Sequence, residues 1–281
     1  KFRPLRDKTI QDHYSPGSTF KVITAIAGLE EGVIDENTTV HCTGGYRVGN
    51  RVHRCWNKKG HGTVNVVQAL IQSCDVFFYR LGQKLGIDTI AKYARILGMG
   101  SPTGVNLAHE ETGLIPTEEW KKQRFGQVWV AGETVSCAIG QSFVLTTPIQ
   151  LAHAFATIAN GGNLWRPYIV KYIESPEGRI IKEFQPELIG KAALQPTTLA
   201  LIRRSLAGVL TSPQGTARSQ KIPEFDIAAK TGTSQVIRMS EHKVQTKCEA
   251  TPFIFRDNAL FIAWAPVEDP SIVVAVVAEH T

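Results

Sequence analysis

The chain has 281 residues, of which 43% are hydrophobic and 20% charged, with a formal net charge of +6. This composition excludes a disordered or fibrous protein and supplies enough apolar material for one large core or two closely packed ones. Its lysines and arginines are scattered, with no long run and no aromatic-interleaved stripe, which argues against a nucleic-acid surface.

In chain order, Tyr14-Ser15-Pro16-Gly17 reads as a turn. From Ser18 the apolar residues Phe20, Ile23, Ile26, Ala27 and Leu29 recur at helical spacing until Gly32. Residues 41–62 are rich in Gly, Arg, His, Asn and Cys, show little periodicity and read as an irregular loop. A helix follows over 65–72, is interrupted by Ser73-Cys74-Asp75, and gives way to helices over 76–85 and 88–97. The stretch 100–146 is punctuated by Gly and Pro, with a short helix near 117–122. A clear helix runs over 147–160, with Pro148 in its first turn and Gly161-Gly162 closing it. Residues 166–174 read as a strand and 197–210 as another helix.

The last quarter changes character. Residues 227–229, 260–265 and 272–278 are short apolar runs bounded by turns, the pattern of buried antiparallel strands. The last of these is far too short to span a bilayer. Helices first and strands last give an α+β fold, with a helical region beside a sheet covered by helices. The polar stretch 238–255 between strands is expected to be mobile and to border the cleft. Lys1 to Asp7 is charged and does not read as a secretory signal, so any membrane anchor lies outside these residues.

Three short motifs carry chemistry. In Ser18-Thr19-Phe20-Lys21, at a helix N-terminus, the serine and lysine share a face and an amine can reach the hydroxyl. Free backbone N–H groups there can serve a developing oxyanion. Ser73-Cys74-Asp75 sits in the break between two helices. Lys230-Thr231-Gly232-Thr233 follows the apolar Ile227-Ala228-Ala229; in a flat strand Lys230 and Thr233 face opposite sides, so a twist or bulge at Gly232 is expected if both are to serve one cleft. Each motif alone is weak, and the first could be no more than a capping serine and a surface lysine.

The ordered triple S-x-x-K, S-x-N or S-x-D, K-T-G resembles the signature of penicillin-binding proteins and serine β-lactamases. The segment Tyr14 to Lys21, and Ile139-Gly140-Gln141 followed by Leu145 to Gln150, resemble class B penicillin-binding proteins almost residue for residue. Asp75, where Asn is usual, and the run Ser73 to Tyr79 are most similar to the elongation-type subclass. The resemblance implies that fold, an antiparallel sheet flanked by helices, with a helical subdomain over roughly 33–165 and a sheet-containing region over 1–32 and 166–281, and a D-Ala-D-Ala transpeptidase acting through a Ser18 acyl-enzyme. It implies Lys21 as general base, Ser73 as proton relay, and Lys230 as the charge that keeps the site electropositive. Asp75 completes the catalytic set, with Thr231, Gly232 and Thr233 on the substrate and the backbone N–H groups of Ser18 and Thr233 as oxyanion hole. It further implies β-lactams as inhibitors, peptidoglycan stem peptides as substrates, and a membrane glycosyltransferase and elongation scaffold proteins as partners. The implied location is the periplasmic face of the bacterial inner membrane. A serine β-lactamase shares the triple, but no E-x-x-L-N pattern is present for deacylation; a β-lactam sensor or non-catalytic scaffold is a further alternative.

Five cysteines do not complete a disulfide framework. Cys42, Cys55, His61 and Cys74 form a closed three-sulfur, one-nitrogen set suited to structural zinc. A Cys42–Cys55 disulfide and simple free thiols are the alternatives, and His41 and His53 are competing ligands. A metal-binding loop also occurs in some elongation-type relatives. Cys137 and Cys248 have no visible partners. No cofactor is required for the chemistry itself.

Overall fold

A computed structural model of the chain describes residues 5–235 and 251–281. The short α1 (Lys8–Gln11) leads into a tight 3-10 turn at Gly17–Phe20, which runs directly into α2 (Lys21–Glu30). Every residue of α2 from Lys21 to Gly28 is buried, so this helix is the axis of the core rather than an amphipathic surface element. It packs against α4 (Asp75–Leu85), α5 (Ile87–Ile96) and α9 (Pro196–Thr211). Fully burying side chains such as Phe20, Ile23 and Ile26 stabilises the fold by about 1.5–3 kcal/mol each.

The three apolar runs at the end form one antiparallel sheet in the order β11-β10-β9, from β9 (Ala228–Ser234), β10 (Asn258–Ala265) and β11 (Ile272–Ala278). In β10, Leu260, Ile262 and Trp264 are buried and alternate with less buried neighbours, the signature of a sheet with one packed face. Trp264 meets Phe155 of α8 (Pro148–Ala159) edge-on, with ring centroids 6.3 Å apart. β9 is one of the two outer strands of the described sheet, and its outer edge lies beside the 3-10 turn.

Residues 41–62 are not an irregular loop. β1 (Thr39–Cys42) pairs with β4 (Gly62–Asn65), and β2 (Gly45–Val48) pairs with β3 (Arg51–Arg54), making two small antiparallel ribbons. Strands of four residues are too short to show periodicity in the sequence. The expected strand over 166–174 is reduced to β6 (Tyr172–Glu174), paired with β7 (Ile180–Glu183). Pro167 removes a donor from the preceding stretch, and the strand before it, β5 (Asn163–Trp165), pairs instead with β8 (Leu188–Lys191).

The remaining helices are α3 (Val66–Ile71), α6 (Glu118–Phe125) and α7 (Ala131–Cys137). Asn65 and Gln68 cap α3 reciprocally, each accepting the other's backbone N–H at 3.0–3.1 Å. α7 escapes sequence reading because Thr134, Val135 and Ser136 are poor helix formers. It is held by Glu133, which accepts from the Val130 N–H and from buried Lys121. Cys137 is buried and its thiol is pushed up to about 12 by that burial, in keeping with an ordinary core residue. Cys248 and most of the stretch 238–255 lie outside the described residues.

Candidate active site

The site assembles from the start of α2, the α3–α4 junction and β9. Ser18 lies within the 3-10 turn and Lys21 is the first residue of α2. In a 3-10 turn residues three apart eclipse one another, so the serine and lysine stack more directly than in an α-helix. Ser18 is half-buried, and its hydroxyl makes no hydrogen bond among the described residues.

The turn is locked against the sheet by Gly17. Its φ is +54°, and a Cβ there would lie 2.2 Å from the carbonyl oxygen of Thr233, so no other residue fits. The Gly17 N–H donates to the Gly140 carbonyl at 2.9 Å. Gln141 Nε2 donates to the Thr233 carbonyl at 2.8 Å, joining the segment after α7 to β9.

Ser73 occupies the break between α3 and α4 with φ +55°, a left-handed conformation unusual for serine. This bend turns both its carbonyl and its hydroxyl toward the lysines. Lys21 Nζ donates to the Ser73 carbonyl (2.8 Å), to Ser73 Oγ (3.1 Å) and to Asp75 Oδ1 (2.6 Å). Lys230 Nζ donates to Ser73 Oγ at 3.0 Å. Both lysines are fully buried. Burial, reinforced by the neighbouring charge of Lys21, pushes Lys230 well below the usual lysine range, with Asp75 opposing. A hydroxyl oxygen accepts at two lone pairs, and here two amines fill them, so the Ser73 proton is left for a third partner.

The expected bulge at Gly232 is absent. β9 pairs with β10 without a register shift from Ala228 to Ser234. Lys230 and Gly232 therefore share one face, and a Cβ on Gly232 would lie 3.0 Å from the Pro16 carbonyl oxygen, so the close approach at this glycine is made by the chain's own turn. Thr231 Oγ1 pairs with Thr216 Oγ1 at 2.9 Å, and Thr233 stands exposed at the mouth of the site. Among the described residues no hydrogen bond joins either threonine hydroxyl to the Ser73 cluster.

Lys21, Ser73, Asp75 and Lys230 thus form one hydrogen-bonded cluster, and Ser18 stands three residues before Lys21 in the turn that leads into α2, with no hydrogen bond of its hydroxyl to that cluster among the described residues. The family model of the penicillin binding protein transpeptidase domain matches residues 1–281, the whole chain. This chain belongs to that family. The Peptidoglycan D,D-transpeptidase MrdA of Acinetobacter baumannii is 35% identical over 280 residues, covering 99% of this chain and 41% of the relative. Pseudomonas aeruginosa PBP2 in complex with WCK 5153 superposes with a TM-score of 0.84 at 35% identity, covering 99% of this chain and 59% of that one. Helicobacter pylori PBP2, solved in complex with MreC, gives 0.84 at 31% identity, covering 99% and 48%. The chain is a transpeptidase domain of the PBP2 type and spans about two-fifths of the length of the curated relative.

Next to Ser73 in this transpeptidase domain, the ligand atoms of Cys42, Cys55, His61 and Cys74 all lie within 4.8 Å of one another. All three cysteines are buried and free of disulfide bonds. His61 Nδ1 is 3.6 Å from Cys42 Sγ and 3.5 Å from Cys55 Sγ. Those separations match the edge of about 3.6 Å expected for sulfur and nitrogen ligands on tetrahedral zinc. The Cys55 thiol, hydrogen-bonded to Cys74, is pulled down to about 5, and Cys74 is pushed up in the same pair. The two competing histidines stand elsewhere: His41 Nδ1 is on Thr63 Oγ1 at 3.0 Å, and His53 packs edge-on against Tyr79.

Sequence reasoning overlooked Trp56. Its backbone N–H donates to Asp75 Oδ2 at 2.8 Å, and its indole Nε1 donates to the carbonyls of Gln72 and Ser73 at 3.1 Å each. The available signal was its place directly after Cys55, a candidate ligand.

Proposed function

We propose that this domain is a peptidoglycan D,D-transpeptidase that cross-links stem peptides in cell elongation and is acylated by β-lactams at Ser18. The observation that carries the reading is Ser73 Oγ held between the buried amines of Lys21 and Lys230, with Ser18 stacked one 3-10 turn before Lys21.

In the reaction, Ser18 Oγ attacks the carbonyl of the penultimate D-Ala while Lys21 takes its proton as general base. The C–Oγ bond forms and the peptide C–N bond breaks. Ser73 passes its hydroxyl proton to the departing D-Ala amine and takes a proton in return from Lys21, so that the proton lost by Ser18 ends on the leaving group. An amine of a second stem peptide then attacks the ester carbonyl, the C–Oγ bond breaks, and a proton of that amine passes to Ser18. Lys230 donates to Ser73 Oγ and holds it in place, and Thr231, Gly232 and Thr233 supply the substrate-facing strand. The outer edge of β9 suits a peptide bound as an added strand. Backbone N–H groups of Ser18 and Thr233 serve the oxyanion.

Cys42, Cys55, His61 and Cys74 fit a structural zinc ion, which would occupy a closed set with no position open to substrate. When bound, the ion supplies a cross-link between the β1–β4 ribbon region and the second catalytic motif. The MrdA and PBP2 likenesses support a location at the periplasmic face of the inner membrane. Among the described residues no helix is long and apolar enough to cross a membrane. An elongation scaffold partner is supported by the Helicobacter pylori neighbour solved with MreC. A membrane glycosyltransferase partner rests on the family resemblance.

The test is an assay with a D-Ala-D-Ala peptide, an amine acceptor and nitrocefin. Release of D-Ala with formation of the cross-linked product, together with one slow nitrocefin acylation per molecule, is expected. Repeated nitrocefin turnover would move the assignment to a β-lactamase, and acylation without D-Ala release would move it to a sensor.

A further inference from the structure

The α3–α4 junction is an improbable piece of backbone to keep rigid. Ser73 is left-handed, and a non-glycine residue in that region costs about 1–2 kcal/mol. It follows the last turn of α3, where helix carbonyls have lost their own partners. The structure satisfies that end from outside, with an indole. Trp56 Nε1 divides its hydrogen bond between the carbonyls of Gln72 and Ser73, 3.1 Å from each. The Ser73 carbonyl then takes a second bond from Lys21 Nζ at 2.8 Å, so donors occupy it from both the ribbon side and the lysine side. The same residue reaches the third position of the motif, because its backbone N–H donates to Asp75 Oδ2 while Lys21 holds Oδ1. One residue outside the three motifs therefore contacts both Ser73 and Asp75.

Trp56 is also placed unusually for a structural tryptophan. It is 60% exposed, so burial alone does not explain it. Its ring stands edge-on to His61, with centroids 5.3 Å apart. The indole is thus braced by the Cys/His cluster on one side and acts on the catalytic junction on the other.

We infer that Trp56 is a positioning residue for acylation, holding Ser73 in its left-handed conformation so that the Ser73 hydroxyl stays between Lys21 and Lys230. This rests on the reading of Ser18 as the acylated nucleophile. Without the indole N–H, the Ser73 peptide relaxes toward ordinary backbone and its hydroxyl leaves the two amines. Because the residue touches no reacting atom, it governs the rate of the chemical step and not penicillin capture.

The test measures acylation of the intact protein by a fluorescent penicillin, in stopped flow, for wild type, Trp56→Phe, Trp56→Ala and a variant carrying benzothienylalanine at position 56. The last keeps the bicyclic shape and replaces the N–H by sulfur. Losing one hydrogen bond to the junction lowers the limiting acylation rate about tenfold in the Phe and benzothienyl variants. The half-saturating penicillin concentration and the unfolding temperature stay at wild-type values. Trp56→Ala, which also removes the ring contact with His61, falls further. The inference is overturned if the benzothienyl variant acylates within twofold of wild type, or if its loss appears only as a raised half-saturating concentration or tracks a lower unfolding temperature. Peptide mapping of the labelled wild type separates the two levels. Label on a serine other than Ser18 overturns the acyl-enzyme reading itself, whereas label on Ser18 with unaffected position-56 variants overturns only the role of Trp56.

Discussion

Replacing Asp75 by Asn removes one oxygen acceptor and a charge, and leaves the side chain nearly the same size. In this chain both neighbours of the carboxylate are donors: Lys21 Nζ at 2.6 Å on Oδ1 and the Trp56 N–H at 2.8 Å on Oδ2. An amide offers one oxygen, so its NH2 group must face one of those donors. Lys21 is fully buried and Asp75 nearly so, which leaves little water to screen or repair the mismatch. Removing one partner of a buried ion pair costs about 3–5 kcal/mol, and retention of one acceptor reduces this to about 2 kcal/mol. If that cost falls on the arrangement needed for acylation, the limiting rate with a fluorescent penicillin drops about 30-fold. Labelling should still go to Ser18. Asn is usual here in the class B proteins that the sequence resembles; in this chain the second donor on the side chain is the Trp56 backbone N–H. An Asp75→Asn protein that acylates within threefold of wild type would refute the reasoning.

Three further predictions follow from other contacts. Gly17→Ala puts a Cβ against the Thr233 carbonyl at a left-handed φ, so the turn must lift from β9; we expect a loss of about 2–4 kcal/mol by denaturant unfolding together with slowed acylation, and wild-type stability would contradict the packing. Lys230 has a folded pKa well below its ordinary value of 10.5, so between the two the unfolded chain holds a proton that the folded chain has released, and stability rises with pH across that window. The stability difference between wild type and Lys230→Met should therefore climb toward pH 10.5, and a flat or falling difference would remove the buried-amine argument. Chelation of the purified protein should lower its unfolding temperature by about 5–10 °C, zinc should restore it, and Cys74→Ser should abolish the response; elemental analysis without stoichiometric metal would rule the ion out.

The parts of the fold readable from sequence are those where one signal dominates. α2, α8 and α9 have long apolar patterns with Pro or Gly at their ends, and the three final strands are short apolar runs between turns. The paired ribbons of residues 39–65 are not legible in the sequence, because four-residue strands carry too few residues to show a period. α7 was hidden by Thr134, Val135 and Ser136, whose weak helix preference is overridden by packing and the Glu133 contacts. At the site, the ordered motifs named Ser18, Lys21, Ser73 and Lys230, but spacing says nothing of how remote segments meet. The left-handed Ser73, the unbroken β9 register and the Trp56 bridge are properties of the assembled chain. Asp75 stood out in sequence as a departure from Asn; its two donors supply the physical reason for a carboxylate there.

Peptide mapping by mass spectrometry after penicillin labelling tests the account where it is most exposed. A single adduct on the peptide containing Ser18, absent from Ser18→Ala and slowed in Lys21→Ala with the same site of attachment, is the predicted result. An adduct on another serine, or full labelling of Ser18→Ala, would contradict it.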